Sequence, residues 1–283
     1  AIAIKYDKPG TYTAGVVNGN VEISAKGVIL ENTTINGNLI ISEGVESGEV
    51  TLKNVTIKGD TIVKGGGMNT ITLQDSSLRN LIVNKKDGKV RILAKGSTDV
   101  SSVDLQSGAK LESSDKTANN FGDLVVSPNL AASAPIILAA NFRNVTVQSA
   151  NNAIQVQRGI IKNLEIAKIA KDALINLAEG VKVDRVEVNA PTKIDGKGKI
   201  ETAAVNVSGS VITAPVTNVE KSEGVEVKTE TPSTPSGGGG GGGGGGSTTP
   251  AEVAVSAINI NKSTTTLVEG TTETLTVTFT PSN

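Results

Sequence analysis

The sequence predicts an all-β chain built on a single-stranded parallel β-helix of about ten coils, and two observations carry that expectation. The first is a run of apolar-x-apolar triplets: Val21-Glu-Ile23, Leu39-Ile-Ile41, Thr61-Ile-Val63, Leu81-Ile-Val83, Val103-Asp-Leu105, Leu124-Val-Val126, Val145-Thr-Val147, Leu164-Glu-Ile166, Val186-Glu-Val188 and Val205-Asn-Val207. Their first residues lie 18, 22, 20, 22, 21, 21, 19, 22 and 19 positions apart. A unit this short buries its apolar face only by stacking on copies of itself. Alternate residues of an extended strand share a side, so both outer positions of each triplet point into the coil. Nineteen of those twenty positions are apolar, and Thr61 is the exception. The second observation is composition. Aromatic residues make up 2% of the 283 residues, so the core is assembled from Val, Ile, Leu and Ala, which suits narrow stacked coils.

The same composition excludes several functional classes. With 27 basic against 28 acidic residues, nothing steers the chain to nucleic acid or an anionic membrane. The absence of Cys removes disulfides, thiolate metal sites and thiol nucleophiles. The absence of His removes the usual general base and the commonest transition-metal ligand. No run of eighteen apolar residues occurs. The first residues, AIAIKYDKPG, lack an export pattern, so the expectation is that any signal peptide lies outside this sequence.

Residues 1 to about 16 precede the triplets and carry Tyr6 and Tyr12; they are expected to cap the exposed end strands. From residue 17 each triplet follows an apolar residue across a short corner. The corner reads N-G-N after Val17, N-G-N after Ile35 and K-G-D after Ile57, then shortens to two residues after Leu78, Val100, Phe121, Phe142, Ile161 and Val183. Gly19, Gly37, Gly59, Asn80, Asp123, Asn144 and Asn163 are expected to supply a left-handed backbone there.

A second strand is expected at Val28-x-Leu30, Val50-x-Leu52, Ile71-x-Leu73 and Val90-x-Ile92, with Asn32, Asn54 and Asp75 as a stacked polar ladder beside it. Residues one coil apart then become neighbours at about 4.8 Å. Ile166 to Ala178 competes with this pattern, because its apolar residues also fall at helical spacing; the 22-residue interval from Leu164 to Val186 favours a coil.

The pattern stops after Val211, giving an expected β-helix over residues 1–215. Residues 216–250, Pro/Ser/Thr-rich and then ten consecutive Gly, are expected to be a disordered linker. In residues 251–283, Val255-x-x-Ile258-x-Ile260, Leu267, Gly270, Leu275-x-Val277-x-Phe279 and Pro281 closely resemble the opening strands of the bacterial immunoglobulin-like group 2 domain. That resemblance covers 33 residues and stops before the family's W-S-S strand, which implies a truncated β-sandwich module. The triplet region resembles the parallel β-helix (pectin-lyase-like) repeats of Gram-positive surface proteins, most visibly in YDKPGTY at residues 6–12, TINGNLII at 34–41 and VNKKDGKVRI at 83–92. The resemblance implies right-handed winding and a cell-surface, multi-modular context. No wall-binding repeat or sorting motif occurs in the sequence.

The same residues bear on catalysis. The N-x-D, Asp-Asp, G-H-G and R-x-K elements of β-helix hydrolases are missing. Stacking could still pair carboxylates between coils, with Asp104, Asp123, Glu165 and Glu187 the set to inspect, and a lyase-like base could come from Arg143, Arg158 or Arg185. Solvated strand positions explain all of these more simply. Gly65-Gly66-Gly67-Met68-Asn69 occurs once and lacks the Asp of a calcium nonapeptide, so it reads as a loop. Lys85-Lys86 reads as a turn, and the glycosylation-like triplets at Asn32, Asn54, Asn144, Asn206 and Asn261 read mainly as corner residues. No catalytic, cofactor-binding or metal residue is assigned, and no cofactor is expected. The favoured function is a structural or adhesive segment of an extracellular bacterial surface protein. Its candidate partners are cell-wall or extracellular polysaccharide or surface proteins, with no nucleic acid and no membrane insertion. The alternative is a carbohydrate-binding or polysaccharide-cleaving β-helix.

Overall fold

The computed structural model describes residues 1–68, 70–88, 90–131 and 134–229, together with the strands Val255–Ile260 and Val277–Pro281. The chain divides into two compact units, Ala1–Ser233 and Thr234–Asn283.

The first unit is a parallel β-solenoid of about eleven turns. Its first face stacks twelve strands in parallel register, from Ile4-Lys5-Tyr6 through the triplets to Val219-Glu220-Lys221. A second face stacks another twelve, from Gly10–Val17 to Val227–Thr229. Between them runs a short third face, whose inward column passes from Val17 through Ile35, Ile57, Leu78, Val100, Phe121, Phe142, Ile161, Val183 and Ile200. Each strand is short, so the faces cohere because the inward columns of all three meet in one continuous apolar core. Phe121 and Phe142 stack there with ring centroids 5.5 Å apart. Ile166 to Ala178 forms no helix: Ala173–Leu177 is a strand on the second face. One short 3-10 turn, Glu43–Val45, is the sole helical element among the described residues.

Four expectations are corrected. Residues 2–17 are not a separate cap but the first coil, with Tyr6 stacked on Ile23, Tyr12 on Leu30, and the two rings 4.4 Å apart as the first layer of the core. The last triplet is Ala203-Ala204-Val205 rather than Val205-Asn-Val207, because Val186 and Val188 pair with Ala203 and Val205 while Val207 is only half-buried. The fourth of the expected second-face strands likewise aligns Ile92 and Ala94, not Val90 and Ile92, with Ile71 and Leu73. Finally, the stack passes residue 215, since Val216–Lys221 and Val227–Thr229 add a twelfth rung. Lys221 stands on Val205 in register there but is exposed, and a lysine on the last rung blunts that edge against further pairing. Residues 230–254, which hold the rest of the linker expected over 216–250, lie outside the described residues.

The corners also differ from expectation. Asn80, Asp123, Asn144 and Asn163 do not have positive φ; the left-handed residues are Asn32, Asn54 and Asp75 (φ 49 to 52°) and then Gly96 (φ 59°), at the end of the second face. Gly37 and Gly59 are needed for space instead. A Cβ on Gly37 would lie 2.5 Å from the carbonyl oxygen of Gly19, and one on Gly59 2.5 Å from that of Gly37. The expected polar ladder is present where Asn54 Nδ2 donates to Asn32 Oδ1 at 2.8 Å.

Thr61, between Leu39 and Leu81, is fully buried and its Oγ1 has no hydrogen-bond partner among the described residues. The Thr61→Val variant removes an unsatisfied hydroxyl at nearly constant volume. It is expected to gain about 1 kcal/mol, read as a thermal midpoint about 2–4 °C higher.

In the second unit Val255–Ile260 pairs antiparallel with Val277–Pro281, placing Ile258 opposite Phe279 and Ile260 opposite Val277. Leu267, Gly270 and Leu275 lie outside the described residues.

Candidate functional site

The outward side of the first face carries two columns that matter for chemistry. At the corner, Asn20, Asn38, Asp60, Asn80, Ser102, Asp123, Asn144 and Asn163 occupy successive rungs. Asn38 N donates to Asn20 Oδ1 (2.9 Å), Asp60 N to Asn38 Oδ1 (2.8 Å), Asn80 Nδ2 to Asp60 Oδ1 (3.2 Å), and Ser102 Oγ to Asn80 Oδ1 (3.0 Å). Further along, Asn144 Nδ2 donates to Asp123 Oδ1 (2.7 Å) and Asn163 Nδ2 to Asn144 Oδ1 (2.9 Å). Each side chain thus satisfies the corner above or below it.

The central column places the middle residues of the triplets on one line. Ile40, Ile62, Ile82, Asp104, Val125, Thr146, Glu165 and Glu187 follow one another in register. The candidate carboxylates are therefore divided. Asp104 lies between Ile82 and Val125 and accepts from Gln106 Nε2 at 2.7 Å. Asp123 belongs to the corner column. Glu165 and Glu187 are direct neighbours, about 4.8 Å apart by strand spacing. Asn189 and Asn206 donate to Glu187 Oε1 at 3.3 and 3.4 Å. Asp123, Thr146, Asn163, Glu165, Arg185 and Glu187 line a shallow depression of about 440 Å³ along this face.

The candidate arginines act as braces. Arg143 holds Asp123 through two parallel bonds, Nε to Oδ1 at 2.9 Å and Nη2 to Oδ2 at 3.0 Å. Arg185 pairs with Glu220 at 2.9 Å, tying the tenth rung to the twelfth. Arg158 reaches across a rung of the second face to Glu112 (3.6 Å) and donates to the Ser113 carbonyl. Glu112 also receives Arg91 Nε at 2.8 Å and Lys110 Nζ at 2.9 Å. Burial pushes the Glu112 carboxyl up, but the hydrogen bonds from Lys110 and Arg91 outweigh it and hold the group below its ordinary value. Nothing in the sequence singled out Glu112, because its partners come from three coils and meet only through the register of the second face.

A buried polar set was also missed. Thr33, Ser76, Thr98, Asn120 and Asn141 are nearly inaccessible and cap backbone groups where the second face turns into the third. Thr98 Oγ1 donates to Lys95 O (2.7 Å), and Asn120 Nδ2 donates to Thr98 O (2.6 Å). The glycine-rich stretch before Met68 is a tightly packed loop, with a Cβ on Gly67 placed 2.4 Å from the Ser47 carbonyl oxygen. Among the described residues no group of three or more acidic side chains is placed to hold a metal ion.

Three further carboxyls are held low, Asp115 among them through its hydrogen bonds from the Thr117 backbone and hydroxyl. The Arg143 hydrogen bond lowers Asp123, and hydrogen bonds from the Ser97 backbone and hydroxyl lower Asp75. A depressed carboxyl stabilises the fold above its unfolded value, and that stabilisation is lost as pH falls through the folded value. With no His to titrate between pH 5 and 8, the thermal midpoint is expected to stay flat there and to drop below about pH 4. The Asp75→Asn/Asp123→Asn double variant is expected to show a shallower acid drop, which thermal melts across pH check; equal drops would remove these two groups from the account.

No family model and no curated protein matches this sequence. Among solved structures, the chain is similar to chitinase ChiW from Paenibacillus sp. str. FPU-7, described as a bacterial cell-surface-expressed multi-modular enzyme machinery. The similarity has 37% identity and a TM-score of 0.54, and covers 67% of this chain and 17% of that one. Among the described residues no helix is long and apolar enough to cross a membrane.

Proposed function

We propose that this chain is a non-catalytic structural or adhesive segment of an extracellular bacterial surface protein of Gram-positive type, in which the solenoid is a rigid spacer displaying its outer faces. The observation that carries the reading is the use made of the charged residues. Asp123, Arg143, Arg158 and Arg185 are committed to braces between coils, as expected where rigidity is what the side chains supply. The likeness to a cell-surface multi-modular protein supports the setting, and the resemblance of residues 251–283 to an immunoglobulin-like module supports a chain of modules.

A second reading, carbohydrate binding or polysaccharide cleavage, is favoured by the adjacent Glu165 and Glu187 in the depression of the first face and by the chitinase named above. One experiment separates the two: the whole folded chain on a glycan array, with polysaccharide digests analysed for new products. The spacer reading expects no cleavage product. A product that disappears in the Glu187→Gln variant would replace it with the second reading.

A further inference from the structure

Across the corner from that depression, the third face and residues 116–119 enclose a cleft of about 570 Å³, in the size range of small-molecule sites. Lys116, Lys162, Arg143, Asp99 and Ile160 are among its walls, with Phe121 and Phe142 behind them. The walls are fixed in place. Asn141 is buried; its Nδ2 donates to the carbonyls of Lys116 (3.3 Å) and Ala118 (3.1 Å), while its Oδ1 accepts from Ile160 N at 2.9 Å. On the other side of Lys116, the Asp115 carboxylate accepts from Thr117 N and Oγ1, both at 2.8 Å.

The charges in this cleft do not cancel. Arg143 is spent on Asp123 and the Asp115 carboxylate, outside the lining, on Thr117, whereas Lys116 and Lys162 make no ion pair among the described residues, leaving two ammonium groups against Asp99 within the cleft. Ile160, 41% exposed, adds an apolar wall. Phe121 and Phe142 are each only 2% exposed, so neither offers the open aromatic platform on which a neutral sugar ring would stack. A concave site with low-dielectric walls focuses what charge it has. We infer that this cleft binds an anionic group, a phosphate or a carboxylate, carried on a small molecule or polymer unit whose uncharged side lies against Ile160. The site stands independently of either reading of the first face.

The test is an NMR titration of the whole chain, following backbone amides, with glycerol 1-phosphate, glucuronate and, as neutral control, glucose. Saturable shifts at Thr117, Gly122 and Ile160 are expected with an anion and not with glucose. Saturation by phosphate alone or carboxylate alone identifies the source. The Lys116→Gln/Lys162→Gln variant is expected to bind at least tenfold more weakly with its remaining spectrum unchanged. On the unaltered chain, binding should weaken as salt is raised. No saturable shift in the millimolar range, equal binding of glucose, or salt-insensitive binding would overturn the inference.

Discussion

The Val145→Asp variant is expected to unfold the middle of the solenoid. Val145 is 1% exposed and stacks between Leu124 and Leu164, so a carboxylate there has neither water nor a partner. A buried unpaired charge is among the few changes that cost about 4 kcal/mol or more, which corresponds to a thermal midpoint lower by about 10 °C or more for a unit of this size. Because each coil touches only its neighbours, the damage is expected to be local. Hydrogen exchange should accelerate across residues 121–166 while amides of the early coils, such as those of Val28–Ile35, keep their protection. An unchanged midpoint would contradict the inward assignment of the whole column.

Gly37→Ala is expected to be the second most damaging change, for a different reason. The added methyl would meet the Gly19 carbonyl carbon and oxygen, both at 2.5 Å, and Asn20 Oδ1 at 2.6 Å. These are backbone and ladder atoms that cannot move without opening the corner, so a loss of about 2–3 kcal/mol is expected. Gly15 provides the comparison. Its φ is +62°, but a Cβ there meets nothing within 4 Å, and Gly15→Ala should cost only the conformational term of about 1–2 kcal/mol. If Gly15→Ala proved the worse of the two in chemical denaturation, close stacking would not be what the corner glycines provide.

The parts of this fold that were legible in the sequence are those where large β-branched or leucine side chains mark the inward column. The inward triplet positions from Val21 to Val188 were placed correctly because all of them but Thr61 are apolar. The register failed where the inward residue is alanine. Ala94 and Ala203 fill the core as Val or Leu do elsewhere, yet alanine carries no mark of direction, so the reading slid by two residues to Val90-x-Ile92 and Val205-x-Val207. A slip of two keeps the same face inward, which is why the architecture survived the error. The corner chemistry was assigned to the wrong cause: Asn and Gly tolerate left-handed backbone, but here Asn80, Asn144 and Asn163 serve as hydrogen-bonding rungs and Gly37 as a gap. Candidate carboxylates were less legible still. Residues twenty apart in sequence can fall in different columns, and only the register separates Asp104 and Asp123 from the adjacent pair Glu165 and Glu187.

In the first unit, parallel stacking converts sequence separation into axial distance. The absence of Cys makes that distance directly measurable by spin labels. Glu22 and Glu187 lie in the same outward column, eight rungs apart. In the Glu22→Cys/Glu187→Cys variant, pulsed electron resonance is expected to give one narrow distance distribution centred near 38 Å, about 4.8 Å for each rung. A broad distribution, or a centre well below about 30 Å, would contradict the rod and with it the proposal that this segment acts as a spacer.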